Sequence, residues 1–288
     1  MMNQRNTFFN RKWQINCRGK LLDLDTPKIM GVLNVTPDSF YDGGKYTHDV
    51  LILKQAEKML QDGASIIDIG GMSSRPGAAI IEVGTELQRV IPVIEAVVKE
   101  FPDTIVSIDT IRAKVVKEAV EAGAGIVNDI SAGSLDVDLL KTVGSLNVPY
   151  ILMHMQGKPK DMQLNPSYKH VVQDMIGFFV EKIEEVKQAG IKDVVIDPGF
   201  GFGKTLSQNY QILQQFDAFR LFDLPLLAGM SRKSMICKLL DVSPSMALNG
   251  TTATNMVALQ RGASILRVHD VKEAMETVKI AAYLKNLS

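Results

Sequence analysis

IVSIDTIRAKVVKEAVEAGAGIVND, residues 105 to 129, reads as one strand–helix–strand unit. Its ends, IVSID (105–109) and GIVND (125–129), are short apolar runs that finish on a polar residue, and the helical repeat between them stops at Gly123. Runs that are apolar throughout, rather than alternating, belong to strands covered on both faces, the condition of a parallel sheet inside a shell of helices. The pattern recurs outward in both directions as IMGVLN (29–34), SIIDIG (65–70), PYILMH (149–154), DVVIDP (193–198), LPLLAG (224–229) and SILRVH (264–269). Amphipathic stretches such as LILKQAEKMLQDGA and GTELQRVIPVIEAVVKE separate them, and Gly63, Gly190 and Gly262 stand where helix stops belong. Eight such units closing on themselves make an α/β fold of the TIM (β/α)8 barrel type. An open doubly wound sheet would carry a glycine fingerprint after its first strand, where this chain has Asn-Val-Thr-Pro.

Ahead of the first unit, WQINCRGKLLDLD (13–25) reads as a hairpin around Arg18-Gly19 that plugs the N-terminal mouth of the barrel. Residues 1–12 are expected to be a flexible tail and residues 13–288 a single barrel domain. Across 288 residues, 32 Lys plus Arg balance 32 Asp plus Glu and 46% of residues are hydrophobic, which argues against disorder, a nucleic-acid partner or a membrane surface. No signal-peptide core or 18-residue apolar run occurs, and Cys17 and Cys237 lie far apart with no metal-ligand spacing, so a reducing cytoplasm fits.

Most strand candidates end in a polar or charged residue, Asn34, Asp109, Asn128, His154, Asp197, Arg267 and His269, with Arg75 and Lys233 in following loops. In a barrel these residues reach the same C-terminal rim. Any one of them could be a carboxylate or amide satisfied by a neighbouring turn, or in the case of Arg267 a salt bridge to Asp270 or a neighbouring strand. So many together are hard to explain as packing, because a buried charge costs several kcal/mol unless paired or bound. A small, polar, charged ligand is the expectation. Phosphate is indicated by the last two loops, GMSRKS (229–234) and RVHD (267–270), where many such barrels bind it. Ser231 is the expected N-cap of the helix MICKLL, so that Ser234 and free N–H groups would form an anion pocket, with Arg75 and Arg267 gripping a diphosphate. DPGFGFGKT (197–205) is not a P-loop, since Pro198 stands where the first glycine is required. Its glycines suggest close backbone approach to a flat ligand, with Phe200 and Phe202 either stacking faces or core. His154 reads as a core histidine, His48 and His170 as solvated, and the methionines as gap-fillers.

In order, NVTPDSFYDGG (34–44), IDIGGMSSRPGA (67–78), SIDT (107–110), VND (127–129), DPGFGFGK (197–204), GMSRKS (229–234) and RVHD (267–270) make the chain resemble the dihydropteroate synthases from about residue 28 to 283. The resemblance implies condensation of 6-hydroxymethyl-7,8-dihydropterin diphosphate with p-aminobenzoate, giving 7,8-dihydropteroate and pyrophosphate. It implies a pterin pocket of Asp109, Asn128, Asp197 and Lys233. Asn34, Arg75, Arg267 and His269 fall at the diphosphate end, with Asn34 the ligand of Mg²⁺, and Ser74 keeps the hydroxyl of a family Thr. Ser234, Phe202, Pro76 and Phe40 fall in the p-aminobenzoate region. A dissociative substitution, sulfonamide inhibition and a homodimer are implied too. Met72 and Tyr41, where the family commonly has Glu and Ser, depart from its pattern. The competing readings are a pterin-binding methyltransferase domain, against which the diphosphate residues argue, and a non-catalytic pterin-binding homologue.

Overall fold

The computed structural model describes residues 13–35, 45–72, 81–157, 162 and 166–287. The expected tail, residues 1–12, lies outside them. A two-stranded antiparallel hairpin, β1 (Gln14–Cys17) and β2 (Lys20–Asp23), comes first. Arg18 and Gly19 both take positive φ, 54° and 86°, the backbone that a tight hairpin turn needs and that glycine adopts without penalty.

Eight parallel strands follow: β3 (Lys28–Asn34), β4 (Ile66–Gly70), β5 (Ile105–Asp109), β6 (Ile126–Asp129), β7 (Tyr150–Met153), β8 (Val194–Asp197), β9 (Leu227–Ala228) and β10 (Ile265–Val268). Neighbours pair in chain order from β3 to β8, β10 pairs with both β9 and β3, and a parallel bridge between Ile196 and Leu226 closes the circle. The expected barrel and its eight strands are therefore present. The strand expected at 224–229 shrinks to two residues because Pro225 has no N–H to give the ladder. Its carbonyl still accepts from Ile196 N–H at 2.9 Å.

The helices α1 (Lys45–Gln61), α2 (Val83–Glu100), α3 (Ala113–Ala122), α4 (Leu139–Leu146), α5 (Val171–Gln188) and α6 (Leu206–Gln214) each follow one strand. Both α7 (Ser234–Leu240) and α8 (Leu248–Gln260) lie between β9 and β10, and α9 (Val271–Asn286) ends the described chain. In α3 the helical repeat buries Val115, Val116, Ala119 and Val120, each valine worth about 1.5–3 kcal/mol. Gly123 stops that helix at φ 124°, where a Cβ would also stand 2.9 Å from Val98.

Period-two alternation sorts the strand residues. Ile67, Ile69, Val106, Ile108, Val127, Leu152, Ile196 and Leu266 pack outward in the main core with the helices. Met30, Ile66, Ile105, Ile126, Ile151, Val195, Leu227 and Ile265 pack inward with Ile15, Cys17, Leu22 and Leu24 of the hairpin. The hairpin thus plugs the N-terminal mouth as expected, and Asn16 N–H fastens it to Asp193 at 2.9 Å.

Candidate active site

Continuing the same alternation toward the strands' C-terminal ends brings Asp68, Ser107, Asn128, Asp197 and Arg267 into the barrel, with Asn34 and Asp109 one step higher. Asn34 and Asp109 both lie opposite Gly70, and Asp109 also lies opposite Asn128. A Cβ on Gly70 would stand 3.6 Å from Asp109 Oδ2 and 3.7 Å from Asn34 Oδ1, so glycine keeps open a space bordered by two hard oxygen donors.

Arg267 is the hub. Its Nε donates to Asp68 Oδ2 at 2.6 Å and its Nη2 to Asp109 Oδ2 at 2.7 Å. Arg267 is therefore salt-bridged, but to β4 and β5 across the barrel rather than to either neighbouring strand, and Asp270 is held by Arg232 instead, in a two-point ion pair at 2.9 and 2.5 Å. Asp68, absent from the sequence-based site, is fully buried and also accepts from Asn128 Nδ2 at 3.1 Å. Its signal in the sequence was a carboxylate inside the apolar run SIIDIG, at the inward parity. Burial raises the Asp109 pKa, Arg267 pulls it down, Asp68 pushes it up again, and it settles at about 7.

The Lys233 ammonium donates to Phe200 O at 2.7 Å and lies 4.7 Å from the centre of the Phe202 ring. Burial lowers its pKa to about 8 against the attraction of Asp197. Asp197, itself pushed up by burial and drawn back by Lys233, accepts Gly199 N–H at 2.7 Å. Of the two phenylalanines, Phe200 is core, stacked at 6.0 Å on Phe216, whereas Phe202 joins Ile111, Ile130, Met153 and Met162 in a small apolar cluster at the rim, against which Met72 packs. The glycines around them do serve close approach, but to protein: a Cβ on Gly199 would fall 2.1 Å from His154 O. Lys204, also missed, is buried and gives its ammonium to the carbonyls of His154, Gly199 and Phe202 at 3.2, 2.8 and 2.9 Å, which fixes this loop.

His269 reaches the rim with its Nδ1 3.1 Å from Ser231 Oγ, and the same hydroxyl accepts His269 N–H at 3.2 Å. Burial, then Arg267, lower its pKa to about 4, so it is neutral at pH 7. Ser231 is accordingly not the expected N-cap of α7. Lys233 holds that position, with no side-chain cap, and Ser234 is the exposed first residue of the helix. His154 is a core histidine, its ring edge-on to Phe178 at 4.8 Å and its pKa lowered to about 2, chiefly by burial. Ser74 and Arg75 lie outside the described residues, as do Phe40, Tyr41 and Pro76. Among the described residues no helix is long and apolar enough to cross a membrane.

The family described as "Pterin binding enzyme" matches residues 30–269. Dihydropteroate synthase of Escherichia coli (strain K12) is 49% identical over 267 residues, 91% of this chain and 93% of that protein. The crystal structure of Yersinia pestis dihydropteroate synthase with a sulfonamide drug superposes with a TM-score of 0.90 at 45% identity, covering 95% of this chain and 100% of the other. Dihydropteroate synthase of Xanthomonas albilineans, solved with 4-aminobenzoic acid, gives a TM-score of 0.89 at 40% identity over 96% of this chain and 99% of the other.

Proposed function

The chain belongs to the dihydropteroate synthases of folate biosynthesis within the pterin-binding enzyme family, and from that premise we propose how its rim residues divide the work. The substrates are 6-hydroxymethyl-7,8-dihydropterin diphosphate and p-aminobenzoate. The methylene C–O bond to the diphosphate breaks, a C–N bond to the aryl amine forms, the amine proton leaves, and pyrophosphate departs. The observation that carries the assignment of roles is the convergence of Asp109, Asn128, Asp197, Lys233 and Arg267 on one rim around a single guanidinium.

Asp197 accepts the two adjacent N–H groups of the pterin's amino-pyrimidinone edge. Asn128 reads the neighbouring edge, and Lys233 donates to a ring oxygen or nitrogen. Phe202, with Ser234 at the head of α7, lies on the p-aminobenzoate side. Arg267, Arg75 and His269 take the diphosphate, Ser74 assisting with its hydroxyl. Two carboxylates, Asp68 and Asp109, share the one guanidinium of Arg267, so the cluster gains negative charge as pH rises through the Asp109 pKa of about 7. That suits a methylene that becomes cationic as pyrophosphate leaves, and makes Asp109 its electrostatic partner. Asn34 Oδ1, beside Asp109 over Gly70, is the protein ligand that would hold Mg²⁺, which neutralises charge on the leaving group when bound with phosphate oxygens and water.

Residues 13–288 act as one domain in this reading. A homodimer is supported by an apolar groove on α6, α7 and α8 lined by Tyr210, Leu213, Ile236, Leu239, Leu240 and Val257, with Leu239 56% exposed. Two free thiols suit a cytoplasmic location. The deciding experiment is pyrophosphate release from the two substrates with and without Mg²⁺, with a sulfonamide as competitor. Release that requires both substrates and the metal, and falls with sulfonamide, is the expected result. Methyl transfer to a cobalamin acceptor without pyrophosphate would replace this reading.

A further inference from the structure

Asp68 touches both halves of the site. Its Oδ2 takes one N–H from Arg267, on the diphosphate side, and one from Asn128, on the pterin side. The carboxylate is fully buried in the middle of the barrel, and its Oδ1 has no hydrogen-bond partner among the described residues. Paired with a guanidinium, a carboxylate only accepts. The Asn128 amide must therefore turn its NH₂ toward Asp68 and its oxygen away, since the flipped amide would set oxygen against oxygen. An asparagine without such a neighbour presents donor or acceptor as the ligand demands, whereas this one is committed. The same oxygen holds Arg267 by Nε while Asp109 holds Nη2, which leaves the other three N–H groups of the guanidinium for an anion.

We propose that Asp68 is a positioning residue for the transfer reaction, fixing Asn128 with its carbonyl oxygen toward the pterin and fixing Arg267 with its remaining N–H groups free for the diphosphate. It touches neither substrate itself and acts through those two side chains. The proposal rests on the reading of the site given above.

The test uses the full-length chain, with calorimetry for 6-hydroxymethyl-7,8-dihydropterin diphosphate, steady-state kinetics and thermal unfolding. Asp68→Asn keeps an oxygen of the right shape but loses the charge, whereas Asp68→Ala removes both bonds. Asp68→Ala should raise KM for the pterin diphosphate on the order of 100-fold and lower kcat about 10-fold, with KM for p-aminobenzoate moving less than about 3-fold. Asp68→Asn should recover most of that loss, stopping within about 10-fold of wild type in pterin KM. Because Asp68 acts partly through Arg267, Asp68→Asn introduced into an Arg267→Lys protein should cost less than it does in wild type, the remainder being the share carried by Asn128. Should Asp68→Ala not fold, the Asn variant and this pair of backgrounds still decide the matter. Equal changes in both substrates' KM, or costs that multiply in the double variant, would overturn the proposal. If wild-type protein binds no pterin diphosphate, the reading of the site fails instead; if wild type binds and the Asp68 variants bind equally well, only the role of Asp68 fails.

Discussion

Ile66, Ile105, Ile126, Val195 and Ile265 line the lower barrel against the hairpin, and two residues further along the same strands stand Asp68, Ser107, Asn128, Asp197 and Arg267. One step of the strand period thus separates a dry floor from a charged storey. The floor contributes stability by burying apolar surface. The charged storey costs stability, as the raised Asp109 and Asp197 and the lowered Lys233 and His269 record, and it persists because its charges hold one another. The contrast is functional as well: an apolar, plugged base excludes water from below, so each charge above acts at a lower effective dielectric.

Substitutions at the two levels should therefore separate binding from stability. The largest effect on binding is expected from Asp197→Ala, which should cost the pterin on the order of 1000-fold in affinity by calorimetry, with a smaller loss in denaturant unfolding than Arg267→Ala. Burial disfavours its charge while Lys233 and the Gly199 N–H favour it, so in the free protein these contributions partly cancel. Arg267→Ala should strike both properties. It leaves Asp68 and Asp109 buried without a counter-charge, a loss of about 3–5 kcal/mol in denaturant unfolding, and it weakens diphosphate binding. One step down, Ile126→Ala should cost about 2–5 kcal/mol of stability and leave both substrate KM values unchanged. A changed KM for that variant would show that floor and site are not independent.

A finer test lies in pH. The folded-state pKa of His269, about 4, is below its ordinary value of 6.5, so between those values the unfolded chain binds the extra proton. Stability from this group is present above pH 6.5 and is lost as pH falls through 4. His269→Asn should flatten that part of the stability profile relative to wild type, and the remaining slope includes the buried His154. Smallest of all, Gly19→Ala, at φ 86°, should cost about 1 kcal/mol and leave activity untouched.

The barrel was legible in the sequence because each strand is short and apolar, most of them closed by a polar residue, and because the hairpin has its turn residues in place. Asn128, Asp197, Lys233 and Arg267 were legible for the same reason, being at or just beyond strand ends. Asp68 was not, because it lies inside a run whose apolar neighbours mark it as strand, and strand periodicity does not say whether an inward carboxylate is core or site. Lys204 and Arg232 were missed because their partners are backbone carbonyls or a residue 38 positions away, which no local pattern encodes. Ser231 was misread as a cap because Ser before a helix is an ordinary signal, while its hydroxyl is engaged by His269.

The bridge between Ile196 and Leu226 gives the barrel a seam. Every other junction between its strands is a ladder of two or more residue pairs, whereas β8 and β9 meet at this one. Asp197 ends the stave on one side of the seam, and Lys233 follows the stave on the other, so their attraction works as a hoop across the joint least held by backbone. A flat ring gripped by both residues would tighten that hoop.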